Sequence, residues 1–152
     1  MWFLLSAFTI STPFRASETM NTMAPDHRVV VGITHVTLGE DREKNDLFWT
    51  LTETVVDSLA IQKGYLGHKR RKQLFGNQAW TMTVWLDDAS LNGFIRAETH
   101  SKAIREGMDA MLKSRFVRVT LPRSKVPLSW NEAEKIMEEK GREMYGKGTA
   151  YE

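Results

Sequence analysis

Eleven residues, Arg28–Leu38, read RVVVGITHVTL, and they constrain this chain more than any other stretch. Valine, isoleucine and threonine are stiff at the first side-chain torsion and suit a pleated, buried surface, so the run predicts a strand. Side chains alternate between faces, which sends Val30, Val36 and Leu38 one way and Val29, Val31 and Ile33 the other. Both faces are apolar, so both need cover. Such a strand belongs at the centre of a sheet.

The flanking pattern supplies its neighbours. Gly39-Glu40-Asp41 turns into a helix over about 42–62, where Leu47, Leu51, Val55 and Leu59 fall four apart and Phe48 and Val56 widen the stripe. Lys63-Gly64 ends it. Residues 65–74 form a second strand, weakly apolar and strongly basic, which suits an exposed or edge position. Phe75-Gly76-Asn77-Gln78 turns the chain into a third strand over 80–86, where Trp80, Met82, Val84 and Leu86 alternate with Thr81, Thr83 and Trp85. Asp87-Asp88 stops that strand and offers an oxygen to the first free amides of a helix carrying Leu91, Phe94, Ile95 and, later, His100. Residues 116–121 (FVRVTL) give a fourth strand. A loop with Pro122 and Pro127 follows, then Ser129-Trp130-Asn131-Glu132, a capping box for a third helix with an Ala133, Ile136, Met137 face. The tail from Gly141 is expected to be loose.

The order is β-α-β-β-α-β plus a C-terminal helix, an α+β chain of the ferredoxin-like plait type. In a plait the helices cover one face of the sheet. The two-sided first strand therefore predicts a homodimer in which the other faces meet, a dimeric α/β barrel.

Length sets the domain count. With 152 residues the expectation is one domain over 27–145, an extension over 1–26 outside the fold, and a tail over 146–152. Trp2–Ile10 is about as long as a signal-peptide core and too short to span a bilayer. No basic residue precedes it and no good cleavage site follows. An upstream extension or mis-called start is preferred over an export signal, with a cytoplasmic location and no membrane partner.

Composition mainly excludes. Net charge is +2, with 21 basic against 19 acidic residues, too small an excess to argue for nucleic acid. The one basic run, His68-Lys69-Arg70-Arg71-Lys72, is divided between two faces by strand alternation. Cysteine is absent, which removes disulfides and thiolate chemistry. Four scattered histidines without paired spacing make no zinc site, and phosphate-loop, dinucleotide and hydrolase motifs are missing. Five Trp and eight Met suit a large apolar pocket or a plain core.

Chemistry concentrates at the corner between the third strand and the second helix. Trp85 and Phe94 are candidate pocket walls, and His100, which titrates near neutrality, is a candidate general base or iron ligand. Each also has a simpler reading, as a sheet aromatic, a core residue or a helix-kink cap. His35 on the first strand and Trp49 on the first helix are further pocket candidates, with core packing as the alternative. Asn45 is the early amide of the domain and a second polar candidate.

Three passages resemble the dimeric α/β-barrel superfamily of antibiotic-biosynthesis and haem-degrading monooxygenases. Gly64-Tyr65-Leu66-Gly67 is similar to that family's entry to strand two. Val84-Trp85-Leu86-Asp87-Asp88-Ala89-Ser90-Leu91, continued by Phe94 and His100, is similar to its strand–helix corner. The ending through Val126-Pro127-Leu128-Ser129-Trp130-Asn131-Glu132-Ala133 resembles an uncharacterised branch. The resemblance covers about 28–140. It implies a flat aromatic or apolar molecule between sheet and helices, and oxygen chemistry that requires no cofactor or uses haem. His100 and Asn45 would be the polar groups, with Trp85, Phe94, His35 and Trp49 around them. A non-catalytic, dimeric ligand-binding or accessory module is the alternative.

Overall fold

The computed structural model describes residues 8–145. Most of the Trp2–Ile10 run and the 146–152 tail lie outside the described residues. Seven strands form one antiparallel sheet: β1 (Thr9–Ser11), β2 (Arg15–Ala16), β3 (Arg28–Leu38), β4 (Tyr65–Gln73), β5 (Gln78–Trp85), β6 (Met111–Pro122) and β7 (Arg142–Tyr145). The order across it is β1-β4-β5-β3-β6-β7, with β2 also on β4. The helices are α1 (Glu18–Thr22), α2 (Arg42–Ser58), α3 (Asp88–Arg96), α4 (Glu98–Gly107) and α5 (Trp130–Lys140).

The expected plait is present, with β3 at its centre between β5 and β6. Its two faces are covered by different parts of the chain. Val30 packs with Leu59, Trp85, Leu91 and Phe94, and Val36 with Leu38, Ala110 and Met111, under α2, α3 and α4. Val29, Val31 and Ile33 pack with Met82, Val84, Met20, Leu128 and Met137 on the opposite side.

That opposite side is closed from both ends of the chain. The expectation that residues 1–26 stay outside the fold fails for the described part. β1 and β2 pair with the outer edge of β4, Ser17 N–H donates to the Leu66 carbonyl (2.7 Å), and Met20 is fully buried. Gly67 permits this approach: a Cβ there would stand 2.5 Å from the Phe14 ring and 2.6 Å from the Arg15 carbonyl oxygen. From the other end, Val126, Leu128, Ala133 and Met137 complete the cluster. Arg123 ties the two ends together, donating from Nε to the Met20 carbonyl (3.0 Å) and from Nη1 to that of Val126 (3.1 Å). The demand for cover that predicted a second copy on this face is met by the chain itself.

Three further expectations change. β4 is not an open edge, because β1 and β2 line it, and His68 and Lys69 are buried. The second helix is two: Ala97, at φ −58° and ψ 143°, breaks it into α3 and α4. The segment expected to be loose from Gly141 is ordered at its start, since Arg142–Tyr145 pairs with β6. Elsewhere local chemistry acts as read. Ser129 and Glu132 form the capping box of α5, and Asp87 caps α3 by accepting from Ser90 N–H (2.8 Å).

Candidate functional site

An amphipathic helix normally buries its apolar stripe fully, and α2 buries its own only in part. None of its seventeen residues is fully buried. Phe48, Leu51, Val55 and Val56 instead line a cavity of about 540 Å³ between the helices and the sheet. That volume lies within the range of small-molecule sites. The floor is the helix-facing side of the sheet, with Thr34 and Val36 from β3, Thr81 and Thr83 from β5, and Ser114 and Phe116 from β6. Phe94, Ile95, His100 and Ile104 close it from α3 and α4. Threonines occupy the floor where larger residues would fill the gap.

Of the residues singled out in the sequence, His100, Phe94 and Trp49 line this cavity. His100 sits in the first turn of α4, just past the break at Ala97. Its Nδ1 lies 3.1 Å from the Ile95 carbonyl. A carbonyl only accepts, so Nδ1 carries the proton and Nε2 keeps its lone pair. The ring meets Phe94 edge-on at 4.9 Å. Burial depresses its pKa, partly offset by the bond to Ile95, so the ring is neutral near pH 7.

Trp85 is not a cavity wall. It is fully buried, donates from Nε1 to Thr83 Oγ1 (2.8 Å) and stacks on Phe94 at 4.9 Å, so it backs the wall that Phe94 presents. His35 lies on the other face of the sheet. It shares parity with Ile33, stacks on Trp80 (4.7 Å) and donates from Nε2 to Gln78 Oε1 (2.6 Å). Asn45 is absent from the cavity wall; its amide donates to the Gly39 carbonyl (2.8 Å) and braces the turn into α2.

The basic run of β4 divides between faces as alternation requires. Lys69 and Arg71 face the terminal segments: Lys69 Nζ donates to the Leu128 carbonyl (2.5 Å), and Arg71 lies over Trp80 and pairs with Glu134 (2.5 Å). Arg70 and Lys72 face the cavity. Arg70 pairs with Glu53 (2.7 Å), and the Lys72 ammonium lies 5.2 Å over the Trp49 ring. At the β6 end Arg118 pairs with Asp88 (3.0 Å) and donates to Asn92 Oδ1 (2.8 Å). Among the described residues no three metal-ligating acidic, histidine or cysteine side chains gather.

No family model and no curated protein matches the sequence. Solved structures do match. A proposed monooxygenase from Fusobacterium nucleatum superposes with a TM-score of 0.55 at 15% identity, over 66% of this chain and 45% of that one. A proposed monooxygenase from Lactobacillus acidophilus gives 0.50 at 15% identity, over 66% and 49%. An antibiotic biosynthesis monooxygenase gives 0.52 at 13% identity, over 60% and 95%. This chain has the antibiotic-biosynthesis-monooxygenase fold. It spans about half the length of the first two neighbours and nearly all of the third. At these identities the likeness is one of fold, and activity has to be argued from the site.

Proposed function

We propose that the chain binds a flat aromatic or apolar molecule beneath α2 and acts on it as a monooxygenase-like enzyme, with His100 as the general base. The observation that carries this reading is the half-buried stripe of α2 over a cavity whose one histidine is neutral and has an unprotonated Nε2. Phe48, Trp49, Phe94 and Phe116 would exclude water from the bound ring. A hydroxyl or acidic C–H of that ring would give its proton to Nε2. The electron-rich anion left behind is the species that molecular oxygen can oxidise. Haem fits the same donor set: His100 Nε2 would hold the iron, which would supply oxygen activation.

One observation favours a passive binding module instead. The bond from His100 to Ile95 braces the broken helix, a role that needs no chemistry. Titration with haemin, followed at the Soret band, and oxygen uptake with polyhydroxylated aromatics separate these readings. A saturable iron-ligand spectrum, or oxygen uptake, that His100→Ala abolishes while the protein stays folded supports the enzyme. Unchanged behaviour in the variant leaves the module.

A further inference from the structure

We propose that the cavity's ligand is an amphipathic anion, its flat apolar body under α2 and its carboxylate or sulfonate seated at Lys72 and Arg70. This rests on the pocket reading above and names the class of molecule that pocket takes. The cavity wall carries Arg70, Arg71, Lys72, Arg96 and Arg118 against one carboxylate, Glu53, and Arg71 is held from the far side by Glu134. These cations are not equivalent. Arg118 is occupied by Asp88 and Asn92. Arg70 spends part of its five-donor fork on Glu53, with contacts of 2.7 and 3.4 Å. Lys72 has no carboxylate within ion-pair distance among the described residues. Its ammonium instead lies over Trp49, which lines the same cavity.

Arg70 and Lys72 are two positions apart on β4, so they share a face and stand about 7 Å apart along the strand. One anionic group can lie between them. A neutral ligand entering here would strip water from Lys72 without replacing it, whereas an anion offsets that cost with a charge-assisted bond. The apolar stripe of α2 rejects a small hydrophilic anion, because nothing would cover Leu51, Val55 and Val56. Both demands are met by one molecule with an apolar plane and a charged end.

The test compares two probes that share one aromatic body. 1-Anilinonaphthalene-8-sulfonate carries the anion, and N-phenyl-1-naphthylamine lacks it. Fluorescence titration should show the anionic probe saturating at one site and binding about tenfold tighter than the neutral one. Lys72→Gln should erase about tenfold of the anionic probe's affinity and leave the neutral probe's within about twofold. Lys72 is exposed, so the variant should fold as the parent does, which circular dichroism checks. Equal binding of both probes, or the same loss for both in the variant, overturns the anionic assignment and leaves the pocket standing. Binding of neither probe overturns both.

Discussion

His35, His68 and His100 all lose their charge for the same first reason, desolvation by burial. Gln78 partly offsets it at His35, Ile95 partly offsets it at His100, and Arg70 and Arg15 add to it at His68. His68 Nδ1 also shares a hydrogen bond with the Tyr65 hydroxyl (2.5 Å). In the unfolded chain each histidine titrates near 6.5. Below about pH 6.5 the unfolded state therefore takes up protons that the folded state refuses, and stability falls with pH until the lowered folded values are passed. The urea midpoint should be lower at about pH 5.5 than at about pH 7.5, a window in which carboxylates scarcely titrate. Equal midpoints would contradict the burial of these rings. Part of this was legible in the sequence. His35 shares parity with Ile33, which assigns its face, but nothing in the chain order says which face holds the cavity. Asn45 drew notice as an early amide; its bond to Gly39 is a local brace that looks the same in sequence as a catalytic amide.

At the scale of the element, the plait, the capping box on Ser129 and the acidic cap on Asp87 could all be read directly, because period and capping chemistry are local. The α2 stripe was legible too, yet its fate was not. Leu51 and Val55 look like core positions in any helical pattern, and only the threonine-rich floor opposite them leaves space. Thr34, Thr81 and Thr83 were the available signal, since they put small polar side chains on a surface that apolar residues would otherwise fill. Leu51→Trp should occupy that space. We expect it to weaken binding of a flat aromatic probe at least about tenfold, at a stability cost of about 1–3 kcal/mol because Leu51 Cδ1 already lies against Gly107 of α4. Unaltered affinity would mean that the ligand does not lie under α2. The basic β4 run misled for a related reason. Charge suggests an exposed edge, but Lys69 reaches the Leu128 carbonyl and Arg71 pairs with Glu134, contacts made by segments distant in sequence.

For the whole molecule, the consequence of an apolar two-sided β3 is closure by the chain's own ends. Phe14, Ala16, Met20 and Met23 from one end, and Val126, Leu128, Ala133 and Met137 from the other, occupy the face where a second copy was expected, so a homodimer would be proposed on another surface. The sequence demanded cover for Val29, Val31 and Ile33 but could not say what provides it, because a short strand pairing such as Arg15 with His68 leaves almost no pattern. A chain beginning at Met23 lacks β1, β2 and the buried Met20. By sedimentation velocity it should form larger species than the whole chain or precipitate; identical sedimentation would contradict the closure. The sheet divides the molecule into a sealed face and an open one. Methyl NMR of the whole chain during titration with 1-anilinonaphthalene-8-sulfonate tests it most directly. Val36, Leu51, Val55 and Ile104 should shift while Val29, Val31 and Ile33 stay still. Shifts centred on the second set, or on neither, would contradict it.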